Sequence, residues 1–276
     1  MDFYPTRFAE LTTAEVCELY RADTWNGMSR GERLDALQEL ENRAAEELGN
    51  QPCEIHLAEM NGSTYGCYSS GRITINESLV NDGILRIEDA EGNVTEYAPH
   101  DVNAQMMDTI HHENYHAYQD EVIHGRLEHD DAAESALWKA NDTSYISSSD
   151  NHILYRIQAQ ERSAFERGES QTKATFEKIE EQYGEDAGYH EYLISINEDS
   201  YNAALTNAQE IYGSENIQQV LDNYMLANSY ESFEESGNAA VESASEDGAM
   251  EGQGMESPTD SSADADMSCD GAGDAF

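Results

Sequence analysis

One five-residue stretch, His112-Glu113-Asn114-Tyr115-His116, constrains this chain more than any other. Its two histidines are four apart, so on a helix both imidazoles stand on one face. The setting reads as a helix. Val102, Met106, Ile110, Tyr115, Ala117 and Tyr118 recur at helical intervals, and no Pro or Gly interrupts the run. Asp101 suits the N-cap and Gly125 the stop, which predicts a helix over 101–124. Two imidazoles at this spacing suit one Zn²⁺, and a Glu beside the first is placed to take a proton from water held there. Gln119 falls one turn further along the histidine face. His111 is expected to support the site from behind or to lie exposed.

A catalytic zinc site takes a third protein ligand. A third His six residues after the second is excluded, because position 122 is Val. His124 and His129 are close in sequence, but His124 lies two turns beyond His116 and would have to fold back from the helix end. A Glu from a later helix answers better. Tyr155, Gln158 and Glu161 are spaced by three and are predicted to share a helix face, and Ala164 continues it with a small side chain that admits a neighbouring helix. Glu161 is therefore the expected third ligand, ahead of His124, Glu166 and Glu169. Tyr155 is a candidate to steady a developing oxyanion, although packing is its simpler role.

An H-E-x-x-H followed by a Glu on a downstream helix resembles the gluzincin group of zinc metallopeptidases. A finer resemblance is to small bacterial zincins that carry Y-R-x-Q-P-x-E-x-D-A after an H-E-x-x-H-x-x-Q helix. Gln119, Tyr155, Arg156, Gln158, Glu161 and Ala164 are in register with that pattern. Ala159 stands where it has Pro, and Ser163 where it has Asp, which puts a supporting carboxylate in doubt rather than the ligand. Arg72-Ile73-Thr74-Ile75-Asn76 fits the short I-x-I/L-N strand of the same families. The resemblance covers about residues 30–170. It implies an α+β, zincin-like fold, in which a small twisted sheet packs on the H-E-x-x-H helix and an edge strand pairs with an extended peptide.

Charge bounds the partners. The net charge is −43, with 14 Lys and Arg against 57 Asp and Glu, and no Lys or Arg follows Lys178. Such a field repels nucleic acid and anionic membranes and attracts basic peptides. A high-salt cytoplasm would also account for it. No apolar run is long enough to span a membrane. The first residues lack the basic start and apolar stretch of a secretory signal, so a cytoplasmic location is the default expectation, with non-classical export left open. Cysteines stand at 17, 53, 67 and 269 without a C-x-x-C. Cys53 and Cys67 could meet across neighbouring strands, but free buried thiols are the simpler expectation.

The organisation follows from local signals. Thr12/Glu15 and Ser29/Glu32 are capping-box pairs that predict helices over 13–23 and 30–48. Trp25-Asn26-Gly27 between them is similar to the W-x-G turn of type VII secretion substrates, or simply packs a helical hairpin. Strands are expected at 54–58, 64–68 and 72–76, with a turn at Asn61-Gly62, a short helix from Glu77 and a hairpin over 84–98 turning at Glu91-Gly92-Asn93. After 130 the pattern is helical: 130–139, 150–168, 170–183, 187–212 and 215–232. Ile194, Leu205, Ile211, Val220 and Leu221 are expected to supply apolar faces there. Residues 1–233 read as one domain, and 234–276 as a disordered acidic tail with almost no large apolar residue. The implied activity is zinc-dependent hydrolysis of peptide bonds, with His112, His116 and Glu161 on Zn²⁺ and Glu113 as general base. The alternatives are a non-catalytic interaction protein of the same fold that binds a basic partner, and a secreted, toxin-like effector peptidase.

Overall fold

The computed structural model describes residues 3–60, 64–88, 94–198 and 200–213, together with Ile217 and Leu221. Thr12 and Glu15 bond reciprocally to open α1 (Thr13–Glu18). The predicted helix over 13–23 is in fact two, because α1 stops at Glu18 and α2 (Ala22–Gly27) follows. Trp25-Asn26-Gly27 is thus the last turn of α2 rather than a turn between helices, and Trp25 is buried in a stack with Tyr20. Ser29 and Glu32 form the second capping box and open α3 (Arg30–Leu48), which ends at Gly49 in the left-handed region, φ 84°.

The expected α+β architecture is observed. β1 (Glu54–Ala58), β2 (Gly66–Ser69) and β3 (Arg72–Asn76) form a mixed sheet in the order β1-β3-β2. β1 runs parallel to β3 and β2 antiparallel to it. Ser70 and Gly71 close the β2–β3 hairpin with φ of 48° and 78°, the two positive values that a two-residue type I′ loop needs. Cys53 immediately precedes β1 and Cys67 lies in β2, with β3 between them. Two strand spacings are about 10 Å, too far for a disulfide. Cys17 and Cys53 are free thiols, whereas Cys67 is disulfide-bonded, which corrects the expectation of free thiols at that position.

After α4 (Glu77–Asp82), β4 (Leu85–Glu88) and β5 (Val94–Tyr97) make the predicted hairpin. Its turn, like Asn61-Gly62, lies outside the described residues. α5 (Val102–Ile123) is the expected histidine helix, and Gly125 beyond it takes φ 71°. It is the central helix. β2 and α3 pack on it, as do α6 (Ala132–Asp142), α8 (Ala159–Tyr183) and α9 (Ala187–Glu198). The main core joins Leu37, Ile73, Ile75, Met106 and Ile110 with Phe176 and Tyr192, so sheet, α3, α5, α8 and α9 share one apolar interior.

The helical half differs from its prediction at its breaks. α7 (Ser148–Ile157) ends at Gln158, whose φ −66° and ψ 159° are extended, and α8 then runs unbroken through Gly168. Tyr155 and Gln158 therefore do not share a helix face with Glu161. Ala159 is the first residue of α8, the position that favours Pro, so the Pro of the resembling pattern would mark a helix start rather than an interior residue. The predicted 187–212 helix is likewise α9 and α10 (Tyr201–Tyr212), the second capped by Ser200. Ile194 and Ile211 are exposed, whereas Leu205 and Leu221 pack with Ile146, Leu154 and Ile157. Most of 215–232, Val220 included, and all of 234–276 lie outside the described residues.

α5 and α8 cross antiparallel and close. Asp108 faces Gly168, His112 faces Phe165, His116 faces Glu161, and Gln119 reaches the carbonyl of Gln160. A Cβ on Gly168 would lie 2.0 Å from Asp108 Oδ1 and 3.0 Å from the Asp108 carbonyl oxygen, so only glycine permits this approach. Ala164, fully buried one turn earlier, plays the part expected of it. Burial pushes the Asp108 carboxyl up to about 7, the nearby Glu169 adds to this, and its Oδ1 has no hydrogen-bond partner. A folded-state pKa raised from 3.8 contributes stability that is complete below pH 3.8 and lost as pH rises through about 7. Asp108→Asn should therefore gain on the parent between pH 4 and pH 8 by about 2–4 kcal/mol, read from urea unfolding at the two pH values. An equal stability gap at both pH values would show that Asp108 is not held neutral by the fold.

Candidate metal centre

The i, i+4 geometry of α5 brings His112 and His116 to one face, and α8 presents Glu161 in its first turn opposite them. The three side chains converge in the buried interior. His116 Nε2 lies 3.0 Å from His112 Nε2. Glu161 Oε1 is 3.2 Å from His116 Nε2, and Oε2 is 3.4 Å from His112 Nε2. His112, Glu113, His116 and Glu161 are 3%, 1%, 4% and 0% exposed. His112, Glu113 and His116 also form a group able to hold a metal ion, with ligand atoms within 4.8 Å of one another. Both carboxylates are thus within reach, but Glu161 is the nearer to the imidazole nitrogens.

The support around these groups is specific. His116 Nδ1 donates to Gln119 Oε1 at 2.9 Å, and Gln119 Nε2 donates to the Gln160 carbonyl at 3.0 Å. With one proton held on Nδ1, the neutral His116 ring offers its Nε2 lone pair to the centre once the second proton has left. His112 packs edge-on against Phe165, with ring centroids 4.4 Å apart, and the Arg156 guanidinium lies over the other end of that contact. Arg156 also pairs with Glu169 at 3.2 Å. Asn114, within the motif, donates to Glu41 of α3 at 3.0 Å, which pins α5 from its far side. Ser163 donates to Glu134 and accepts from Trp138, so the position where the resembling pattern has Asp serves α6 here.

Electrostatics pair the Glu161 charge with a proton on His116. Burial raises the Glu161 carboxyl, but the His116 and His112 imidazoles beside it outweigh burial and hold it well below the usual range. Burial lowers His112 to about 4. Burial also acts to lower His116, yet the Glu161 charge overrides it and lifts that imidazole to about 9. Burial raises Glu113 to about 8. Its Oε1 and Glu161 Oε2 are buried and make no hydrogen bond among the described residues. A cation held by the two imidazoles and Glu161 would satisfy Glu161 Oε2.

The other candidates stand apart. His124 is exposed and pairs with Asp120, Glu166 is exposed, and Glu169 is committed to Arg156 and Lys173. His129 bonds Tyr118 and Glu134. His111 is buried rather than exposed, and burial lowers it to about 3. Tyr155 does not stand apart: it is buried with its ring against those of Tyr145 and Phe165, and its hydroxyl interacts with Glu161. Sequence reasoning missed Tyr145, whose hydroxyl donates to Glu161 Oε1. It sits in the polar stretch Asn141–Ser149, which reads only as a loop, so no local signal points to it. β2 is the sheet edge nearest the site, and Gly66, Cys67 and Tyr68 in it are buried. No family model, no curated protein and no solved structure matches this chain.

Proposed function

We propose that this protein is a zinc-dependent peptidase of zincin-like design. The observation that carries the reading is the triangle of His112 Nε2, His116 Nε2 and the Glu161 carboxylate, with edges of 3.0, 3.2 and 3.4 Å. Ligand atoms bound tetrahedrally at about 2.0–2.1 Å stand about 3.3 Å from one another, close to these separations, which Glu161 makes with Oε1 to His116 and Oε2 to His112. When bound, Zn²⁺ supplies Lewis-acid polarisation and lowers the pKa of water to about 7. Glu113, whose Oε1 is free, takes the proton of the attacking water and returns it to the leaving amine. Gln119 keeps His116 in the tautomer that offers Nε2, and Phe165 holds the ring plane of His112. The net charge of −43 favours encounter with basic chains.

One observation favours a second reading. All four site side chains are at most 4% exposed, and closed metal sites serve structure more often than catalysis. In that reading the protein is a non-catalytic binder that keeps its metal and recruits a basic partner with its acidic surface. The experiment that separates the two is incubation of the zinc-loaded protein with a broad peptide library that includes peptides rich in Lys and Arg. Cleavage supports the peptidase. Tight zinc without cleavage of any peptide overturns it in favour of the binder.

A further inference from the structure

We propose that Tyr145 is a positioning residue for the metal centre, acting through Glu161. The inference rests on the metal-centre reading above and goes further by naming the group that sets its carboxylate. Glu161 has one oxygen spoken for and one free. The Tyr145 hydroxyl donates to Oε1, while Oε2 makes no hydrogen bond and faces His112 Nε2 at 3.4 Å. Both oxygens face the histidine pair, Oε1 at 3.2 Å from His116 Nε2 and Oε2 at 3.4 Å from His112 Nε2, and the Tyr145 hydroxyl on Oε1 restrains the carboxylate in that orientation. Groups that bond a metal ligand in this way raise affinity by ordering it before the ion arrives.

Tyr145 is itself held in place. It lies in the connection between α6 and α7, and that connection is fastened by Gln158, the extended residue at which α8 begins. Gln158 Oε1 accepts from the Ile146 amide at 3.0 Å, and its Nε2 donates to the Ile146 carbonyl at 2.7 Å. Asn141 completes the fastening: its Nδ2 donates to Gln158 Oε1 at 2.8 Å, and its Oδ1 accepts from the Gln160 amide at 3.0 Å. The break that starts α8 therefore does two things. It puts Glu161 in the first turn facing α5, and it ties the neighbour of Tyr145 to the same point of the chain. Gln158, read from the sequence as sharing a helix face with Tyr155 and Glu161, works instead as the clamp that sets Tyr145 over Glu161.

The test is zinc affinity by chelator competition, together with the melting temperature of the metal-free protein. Tyr145→Phe removes one oxygen and with it a hydrogen bond to a buried carboxylate, so the metal-free protein should stay folded and melt modestly below the parent. Its zinc affinity should fall about 10–100-fold, the usual cost of losing a group that orients a ligand. The same substitution in a Glu161→Gln background should have little further effect, because the group through which Tyr145 acts is already altered. An unchanged affinity in Tyr145→Phe overturns the inference while leaving the zinc site standing. So does an equal loss in both backgrounds, which would mark a general packing role. A parent that binds no zinc overturns the reading on which the inference rests, and is told apart by the parent's own titration.

Discussion

Glu113→Gln should bind zinc as the parent does and lose about 10²–10⁴-fold in peptide hydrolysis, the usual contribution of a general base. Gln matches Glu in shape. The side chain is not one of the three whose atoms form the 3.0–3.4 Å triangle, so the metal site keeps its donors. What disappears is the buried carboxyl whose Oε1 has no hydrogen-bond partner and which burial lifts to about 8, so that it serves as a base as pH rises through that value. Single-turnover rates on a peptide cleaved by the parent would read the loss directly, and zinc content would be measured on the same samples. Activity in Glu113→Gln equal to the parent's would remove Glu113 from the chemistry. A joint loss of zinc and activity would instead make Glu113 a ligand, the role its place in the His-Glu-His group also allows.

Removing a corner of the triangle should have an effect of similar size on metal binding. The parent is expected to retain one equivalent of zinc after exhaustive dialysis. His116→Ala and Glu161→Ala should each lose affinity by more than the 10–100-fold that a supporting group costs, because a donor atom itself is gone. Stability should follow by mass action. At free zinc about 1,000-fold above its Kd, the parent gains about 4 kcal/mol over its metal-free form, and neither variant should show that gain at the same zinc concentration. Electrostatics add a second cost in His116→Ala. Glu161 is fully buried, and its charge is balanced mainly by His116, so the metal-free variant is left with an uncompensated carboxylate and should melt below the metal-free parent. Elemental analysis and thermal unfolding with and without chelator check each step. Zinc held equally well by His116→Ala would rule out the centre as drawn.

The chain itself determined what depends on neighbours in sequence. His112 and His116 share a face because α-helical geometry alone places i and i+4 together, and α5 begins and ends within a residue of its predicted limits. The two capping boxes, the β1 and β3 limits and the stop at Gly49 were legible for the same reason: each is set by hydrogen bonds or a φ preference within a few residues. Tertiary structure decided the rest. Glu161 meets the histidines not because it shares a face with Tyr155 and Gln158 but because the chain breaks at Gln158, and a Gly168–Asp108 contact lets α8 lie close along α5. The strand order β1-β3-β2 keeps Cys53 from Cys67, and Ile194 and Ile211 are left on the surface, since only the packed sheet and helices determine which apolar side chains find partners. Tyr145 lies over Glu161 for a reason no periodicity carries. Its place is set by side-chain bonds between residues 12 or more positions apart, and such bonds exist only once the helices have packed.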